Sequence, residues 1–273
     1  MDPGASQFTD TRQKIYHELH CEQLSEQEAA NAVSAGRILD IVMEYHRPAS
    51  VLDVGCGIGT WLKVVQSRGI SDVRGIEGSW LDPSKLQVDA RLLGVLDLEK
   101  SFDLGRRFDL VICLEVAEHI SASAADHFIA SLTRHAPVVL FSAAIPHQGG
   151  HHHVNEQFLP YWVERFARFG FRPLNVIRGK IWSDQTILWW LRQNVVLFAE
   201  GELIAREERL RRAAEESAAY PLSLVHPDVY LFRVQMGMQA MEKMGQLAKV
   251  FGQGGLFRVT VDLNGMIKTI SKA

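Results

Sequence analysis

The sequence predicts an α/β fold built on a doubly wound, mostly parallel sheet of seven strands. Strand and helix patterns alternate from residue 50 onward, which is typical of a parallel sheet with helices on both faces. The segments 108–114 and 137–142 are almost wholly apolar, as expected of central strands that are buried on both sides. The apolar run Val51–Val54 breaks at once into a glycine-rich turn that opens a helix.

The individual elements follow from the spacing of apolar residues and from the residues that end each run. Apolar residues at helical spacing predict one or two helices between Glu22 and Tyr45, and Pro48 ends them. We expect strands at 50–54, 72–77, 91–96, 108–114, 137–142, 173–178 and 194–199, and helices at 59–68, 84–88, 122–134 and 156–169. These elements form the predicted sheet and the helices that cover it.

The chain divides into three predicted parts, which are an N-terminal helical cap at 1–49, a sheet domain at 50–199 and a C-terminal extension at 200–273. The extension begins with a charged helix and continues with a helical pattern at 228–250. It ends in two strand-like runs joined by Asn264–Gly265, which is a strong hairpin signal. Because the extension carries no motif, we expect it to serve as a lid or as the arm of a homodimer.

Composition narrows the class of protein before any motif is considered. The chain has 273 residues, of which 47% are hydrophobic and 22% charged, and its formal net charge is −3. This balance suits a globular protein and makes nucleic acid an unexpected partner, since nucleic-acid binders usually show a basic excess. No apolar run reaches the roughly 20 residues that cross a bilayer, so we expect no association with membranes.

Cysteine usage favours a reducing compartment. Cys21, Cys56 and Cys113 lie far apart in the sequence and lack the spacing of metal ligands. The first residues show no basic region followed by an apolar core, as a secretory signal would. We therefore predict a cytoplasmic protein.

The glycine turn indicates the kind of ligand. Gly55, Gly57 and Gly59 form the pattern G-x-G-x-G, and Asp53 stands two residues before the first glycine. A dinucleotide-binding turn, G-x-G-x-x-G, would need a glycine where this chain has Thr60. The pattern instead resembles the first motif of class I S-adenosylmethionine-dependent methyltransferases. The resemblance implies a Rossmann-like sheet domain that binds S-adenosylmethionine.

Further positions fit this resemblance in register. Glu77 ends the second predicted strand about twenty residues after the glycines, where a carboxylate can accept both ribose hydroxyls of a nucleoside. Asp97 and Leu98 follow the third strand, and Phe108–Cys113 matches the motif of the fourth. The resemblance implies that Asp53 and the three glycines contact the methionine moiety. It also implies that Glu77 binds the ribose and that Asp97 and Leu98 flank the base.

Acidic residues and histidines follow the fourth and fifth predicted strands. Glu115, Glu118 and His119 form the pattern E-x-x-E-H, and all three point the same way if a helical turn begins there. His147 and His151–His153 come after the fifth strand. Since ligands of open α/β sheets bind beyond the carboxyl ends of the strands, we expect both segments to converge on one crevice. Such side chains can bind Mg²⁺, Mn²⁺ or Fe²⁺ and leave positions open for a substrate oxygen.

This second pattern resembles that of two groups of metal-assisted O-methyltransferases, the small-RNA 3′-terminal 2′-O-methyltransferases and the ubiquinone-pathway enzymes. The resemblance implies a divalent cation, Mg²⁺ or Mn²⁺, whose protein ligands are Glu115, Glu118, His119 and His153. It also makes His119 and His153 the catalytic residues, with either of the two histidines before His153 as its substitute. Two alternatives stay open, namely a histidine that acts as a base without metal and a purely structural role for both segments.

The sequence thus predicts an enzyme that methylates a hydroxyl of a small molecule, with a sugar or another polyhydroxylated or secondary metabolite as the preferred acceptor. Aromatic residues after the fifth strand are expected to wall the acceptor pocket or to fill the core. Arg178 and Lys180 either meet an acidic acceptor or are solvated. Two functions of other classes remain, a nicotinamide-dependent oxidoreductase, against which Thr60 argues, and a non-catalytic interaction protein on the same scaffold.

Overall fold

The computed structural model describes residues 28–251, 257–261 and 267–272. The chain forms two compact units, and the boundary between them lies between Leu224 and Val225. The first unit extends beyond residue 199, the predicted end of the sheet domain. It includes two short helices that follow the last strand of its sheet.

The first unit alternates strands with helices, as the sequence pattern indicates. In chain order it contains α1 (Glu28–Tyr45), β1 (Ser50–Val54), α2 (Thr60–Ser67), β2 (Asp72–Glu77), β3 (Leu93–Val95), β4 (Leu110–Leu114), α3 (Ala125–His135), β5 (Val138–Ser142), α4 (Leu159–Ala167), β6 (Phe171–Leu174), α5 (Arg178–Ile181), α6 (Trp189–Asn194), β7 (Val196–Glu200), α7 (Gly201–Arg206) and α8 (Glu208–Ser217). Short 3₁₀ turns lie at Pro83–Lys85, Ala90–Leu92 and Ala117–His119.

A seven-stranded sheet with the order β3-β2-β1-β4-β5-β7-β6 forms the centre of this unit. The strands β1 to β5 are parallel, whereas β7 runs antiparallel to both of its neighbours, β5 and β6. The strand order reverses between β1 and β4, and ligands of such sheets bind in the crevice outside the carboxyl ends of the strands at this point. The predicted fold, a mostly parallel seven-stranded Rossmann-like sheet, is confirmed.

Both faces of the sheet are buried, which explains the nearly continuous apolar sequence of its central strands. Leu52 and Val54 of β1 belong to an apolar cluster that includes Phe128 of α3 and Phe166 of α4. Val51 belongs to a second cluster, to which α1 and α2 contribute. Because successive side chains of a strand point to opposite faces, the two clusters form the two layers of the core.

Some predicted elements are shorter in the structure or differ in kind. β6 ends at Leu174, before the predicted end at 178, because the chain turns at Asn175, whose N–H donates to a serine hydroxyl of α8 at 2.8 Å. The helix predicted at 84–88 is a single 3₁₀ turn. The charged helix predicted at the start of the extension is divided into α7 and α8, since the residue between them has an extended backbone.

The second unit contains a long helix, α9 (Pro227–Phe251), and two antiparallel strands, β8 (Phe257–Val261) and β9 (Ile267–Lys272). The helix and the paired strands agree with the pattern of the sequence, whereas the predicted turn at Asn264–Gly265 lies outside the described residues. In the part of the chain that the structure describes, no helix has the length and apolar character needed to cross a bilayer.

Candidate functional site

The first part of the site is the glycine turn between β1 and α2. Gly55, Gly57 and Gly59 have φ angles of 76°, 52° and 88°, in the left-handed region that side chains disfavour. A Cβ atom on Gly55 would also lie 2.3 Å from Cγ2 of Val116, which belongs to the segment after β4. The turn therefore requires glycine, and it packs directly against the segment that carries the predicted metal ligands.

Glu77, the last residue of β2, holds this turn in place. Its Oε2 accepts the N–H of Gly57 and its Oε1 accepts the N–H of Gly78, both at 2.7 Å. The carboxyl group is 5% exposed, and this burial raises its pKa, although the two backbone donors oppose the rise. Each oxygen keeps lone pairs for further donors, as the predicted binding of ribose hydroxyls requires.

Asp53 lies inside the sheet with an unsatisfied carboxylate oxygen. The residue is 3% exposed, and its Oδ2 has no hydrogen-bond partner. Burial raises its pKa well above the usual range, and the nearby charge of Glu77 adds to the rise. A buried acceptor without a donor is costly, so Asp53 suits a ligand that brings a positively charged or N–H group. The residues of this crevice thus fit the donor that the glycine pattern implies.

Asp97 and Leu98, the residues predicted to flank the base, differ in their exposure to solvent. Asp97 is exposed and accepts a hydrogen bond from Lys100 Nζ at 3.0 Å, which lowers its pKa. Leu98 is buried at 6% exposure in the apolar core. Trp80, which belongs to no motif, packs so closely on Gly78 that a Cβ there would lie 2.1 Å from its ring. Its position shortly after the carboxyl end of β2 is the sequence signal that could have identified Trp80 as a candidate.

The second part of the site contains a carboxylate and two imidazoles. Glu118 and His119 lie in the 3₁₀ turn after β4, and His153 lies in the long loop after β5. Each of the three side chains offers one ligand atom, and these atoms lie within 4.8 Å of one another. His153 Nε2 is 3.9 Å from Glu118 Oε1, and the two imidazole rings meet edge to face with centroids 4.9 Å apart. The structure thus brings together three of the four predicted metal ligands.

Hydrogen bonds define which nitrogen of each imidazole can act as a ligand. Nδ1 of His119 is 3.3 Å from the carbonyl oxygen of His152, and Nδ1 of His153 is 2.8 Å from Oε1 of Glu156. Because a carbonyl and an ionised carboxylate only accept, both Nδ1 atoms carry the proton. In the neutral imidazoles, Nε2 then carries the lone pair, and this is the form that binds a metal or takes up a proton.

Glu156 organises the loop that carries His153. Besides its bond to His153, its carboxylate accepts the N–H of His147 at 2.7 Å and that of Gly149 at 2.9 Å. Partial burial opposes ionisation, but the hydrogen bonds from His153 and the two backbone groups outweigh it and lower the pKa of Glu156. His147 and His152 adopt φ angles of 65° and 57° in this loop. Non-glycine residues in that region are uncommon and often mark functional segments.

Glu118 is the buried carboxylate of the cluster. It is fully buried, and neither of its side-chain oxygens has a hydrogen-bond partner. Burial raises its pKa well above the usual range, and the charge of Glu115 raises it further. Its backbone carbonyl accepts the N–H groups of Val154 and Asn155 at 2.9 and 3.0 Å, which joins the loop after β5 to the turn after β4. A buried carboxylate with two free oxygens suits a cation or a bound proton.

Glu115 lies beside the cluster, but unlike Glu118 its carboxylate accepts hydrogen bonds from two amide side chains. Its φ angle is 53°, and its carboxylate accepts hydrogen bonds from Gln148 Nε2 and Asn194 Nδ2, both at 3.1 Å. Among the described residues it is not grouped with the three converging ligand atoms. The two buried amides were not selected from the sequence, because Asn194 is distant along the chain and belongs to no motif. Glu115 as a fourth ligand stays a prediction.

The fold thus sets a glycine turn with two buried acids beside a cluster of imidazole and carboxylate groups. Residues 27–194 match the family model described as "Methyltransferase domain". The chain therefore belongs to this family, and it is a class I S-adenosylmethionine-dependent methyltransferase. Membership of this family excludes one alternative that the sequence left open, the nicotinamide-dependent oxidoreductase. Among curated proteins, none matches the sequence.

Three solved structures of methyltransferases are similar to the chain. The 1,6-didemethyltoxoflavin-N1-methyltransferase of Burkholderia thailandensis is 19% identical, with a TM-score of 0.51 over 73% of this chain and 91% of that chain. An S-adenosylmethionine-dependent methyltransferase from Clostridium acetobutylicum is 12% identical, with a TM-score of 0.49 over 72% of this chain and 99% of that one. A sugar N-methyltransferase from a Streptoalloteichus species is 18% identical, with a TM-score of 0.48 over 67% and 92%. At 19% identity, the similarity to the first of these structures concerns the fold alone.

Proposed function

We propose that this enzyme transfers the methyl group of S-adenosylmethionine to a hydroxyl of a small molecule, with Mg²⁺ or Mn²⁺ held at the acceptor side. The observation that carries the proposal is the convergence of Glu118, His119 and His153 within 4.8 Å, beside the turn at Gly55. A sugar or another polyhydroxylated metabolite is the preferred acceptor, because neighbouring hydroxyls can reach one cation together. Methylation of an amine is the competing outcome.

On the donor side, each group has a separate task. Asp53 offers its unsatisfied oxygen to the amino acid portion of the donor. Glu77 keeps Gly57 and Gly78 in place with one lone pair of each oxygen and has others left for ribose hydroxyls. Asp97, Leu98 and the newly recognised Trp80 would flank the base. When bound, the donor supplies an electrophilic methyl group that needs only an in-line acceptor oxygen, so positioning contributes much of the rate.

On the acceptor side, a divalent cation would lower the pKa of a bound hydroxyl. The Nε2 atoms of His119 and His153 and the carboxylate of Glu118 would hold it. This arrangement agrees with the orientation of both rings, since metal-binding histidines usually donate their other N–H to a carbonyl or carboxylate. His152 and Glu156 provide these acceptors.

A second mechanism remains, in which His153 acts as a general base without metal. The hydrogen bond from His153 Nδ1 to Glu156 orients the ring and would stabilise the imidazolium that forms when Nε2 takes the acceptor's proton. Both mechanisms need His153 and Glu156, and they differ in their need for a cation.

Binding of Mn²⁺ separates the two mechanisms without an acceptor. Calorimetry of the chelator-treated protein should give one site per chain, and Glu118→Gln and His153→Ala should each abolish it. His127→Ala, which changes an exposed histidine of α3, serves as the matched control. All variants should bind S-adenosylhomocysteine like the original protein. No Mn²⁺ binding, together with methyl transfer that persists in excess chelator, would favour the base mechanism.

The remaining expectations stay predictions. These are a cytoplasmic location, a small-molecule acceptor rather than nucleic acid, and a homodimer formed through the extension. Exposed apolar side chains of α9, among them Tyr230, Met238 and Met241, are consistent with such a role for the second unit. Light scattering at several protein concentrations would report the mass in solution.

A further inference from the structure

A narrow cavity adjoins the acceptor side of the site. Its wall includes Asn194, the residue whose Nδ2 donates to Oε1 of Glu115, and the aromatic side chains of Phe158 and Trp162. Arg178, the first residue of α5, lies in the same wall. The cavity has a volume of about 10 Å³, which is room for one water-sized group, so a single terminal group of a ligand, rather than a whole small molecule, would enter it.

Arg178 is a buried cation without an acidic partner. The residue is 2% exposed, its Nε donates to Asn175 Oδ1 at 2.7 Å, and its Nη1 donates to the carbonyl oxygen of Leu222 at 3.1 Å. Its Nη2 has no hydrogen-bond partner, and among the described residues no carboxylate forms an ion pair with it. Burial lowers its pKa to about 10. Buried charges in proteins are usually paired, so this arrangement lacks an anion.

A second unsatisfied donor lines the same cavity. Trp162 is 1% exposed, and its indole Nε1 has no hydrogen-bond partner. The indole N–H only donates, as does a guanidinium. Two buried donors that lack acceptors in one cavity are complementary to a group that only accepts, such as a carboxylate or a phosphate.

Lys180 provides an internal comparison on the same short helix. Its ammonium group pairs with Glu44 and lies 5.1 Å from the centre of the Tyr45 ring, at a partly exposed position. The sequence left open whether Arg178 and Lys180 meet an acidic acceptor or are solvated. Lys180 is the surface cation of the two, whereas Arg178 is buried and forms part of the cavity wall.

We propose that the acceptor carries an anionic group, a carboxylate or a phosphate, and that Arg178 binds this group in the cavity next to Asn194. The planar guanidinium suits both oxyanions because it can donate two parallel hydrogen bonds. The proposal rests on the proposed function, since it adds a substrate class to the same site.

Anion binding tests the site without a known acceptor. We would titrate the protein, saturated with S-adenosylhomocysteine, with inorganic phosphate and with benzoate, using sodium chloride at equal ionic strength as the control. Calorimetry and thermal denaturation should show saturable binding of at least one anion. Arg178→Met should weaken it by about tenfold to a hundredfold, the usual effect of losing hydrogen bonds to a charged group. Lys180→Met removes a charge from the same helix and should change nothing.

Arg178→Gln is a second variant that keeps the test valid if Arg178→Met fails to fold. It removes the charge but keeps an N–H donor at about the position of Nε, which donates to Asn175 Oδ1. We expect it to bind S-adenosylhomocysteine normally and anions weakly. Anion binding of equal strength in the original protein and in this variant would overturn the proposal, as would anion effects no larger than those of chloride.

Paired acceptors test the same idea by catalysis. Suitable pairs are 3,4-dihydroxybenzoate with catechol, and glucose 6-phosphate with glucose. The anionic member should be the better substrate by kcat/KM, chiefly through KM, and Arg178→Met should remove the difference. Equal use of both members would overturn the anionic acceptor but leave the proposed function standing. Methyl transfer to nitrogen, with anion binding that depends on Arg178, would instead contradict the proposed function and leave the anion site standing.

Discussion

Nδ1 of His153 lies 2.8 Å from Oε1 of Glu156, and this hydrogen bond leaves Nε2 of His153 to face Glu118 at 3.9 Å. The same carboxylate accepts the N–H groups of His147 and Gly149. Glu156 therefore controls both the tautomer of the histidine and the course of the loop that brings it to the site.

We predict that Glu156→Gln lowers methyl transfer and weakens Mn²⁺ binding by about tenfold to a hundredfold, as is typical for the loss of a group that orients a metal ligand. The amide can reverse the hydrogen bond to His153 and so favour the wrong tautomer. Calorimetry and initial rates provide the measurement. Glu164→Gln on α4, where the side chain is 69% exposed, is the control. Unchanged Mn²⁺ affinity in Glu156→Gln would exclude this role.

Gly150 offers a steric test of the same histidine. A Cβ atom at this position would lie 2.2 Å from Nε2 of His153, so Gly150→Ala must displace the imidazole ring or the loop. We expect a loss of activity and of Mn²⁺ binding with little change in the affinity for S-adenosylhomocysteine. Gly237→Ala in α9, where nothing lies within 4 Å, should be neutral or stabilise the helix by up to about 1 kcal/mol. Full activity of Gly150→Ala would show that the ring position is unimportant.

The sheet and its donor crevice could be predicted from the sequence, because both depend on local patterns. Apolar runs such as 108–114 alternate with helical spacing, and the three glycines occupy left-handed backbone positions that almost require glycine. The acids Asp53 and Glu77 stand where their strands end, so their convergence follows from the parallel topology. The short helices α5 and α6, of four and six residues, were missed because they are too short to show a helical period.

The hydrogen bonds that surround the carboxylate and imidazole cluster could not be predicted from local sequence patterns. Asn194 reaches Glu115 across a long stretch of sequence, and no spacing rule joins the two. The resemblance selected His153 from the histidine run, but nothing in the sequence revealed that His152 would contribute its carbonyl oxygen to His119. That outcome depends on the left-handed backbone of His152, which is an uncommon conformation for a non-glycine residue.

Trp80 should contribute to donor affinity. It lies against Gly78, next to the carboxylate predicted to bind the ribose, and aromatic stacking on a nucleobase is worth about 1–3 kcal/mol by alanine substitution. We therefore expect Trp80→Ala to weaken S-adenosylhomocysteine binding by about tenfold. Trp80→Phe should restore most of the affinity, because it keeps an aromatic face. Equal affinity in Trp80→Ala, measured by calorimetry, would place the indole outside the donor site.

The carboxylate of Asp53 should affect both the free energy of unfolding and the affinity for the donor. Burial, with a smaller effect of Glu77, holds its pKa above the ordinary value, so the folded protein binds this proton more tightly than the unfolded chain does. The contribution of Asp53 to stability is therefore most favourable below the ordinary pKa of aspartate. It declines as the pH rises toward the raised pKa, where the unpaired charge forms in the folded protein.

Asp53→Asn should accordingly stabilise the donor-free protein at neutral pH, by about 1–3 kcal/mol, because the unsatisfied buried charge is lost. It should also weaken binding of the donor, since the amide no longer offers a charge to the amino acid portion. Thermal denaturation between about pH 4 and pH 8, with and without S-adenosylhomocysteine, measures both effects. Asp72→Asn, at an exposed ion pair with Arg106, is the control and should change stability by at most about 1 kcal/mol. A destabilised Asp53→Asn with unchanged donor affinity would mean that Asp53 serves the fold rather than the ligand.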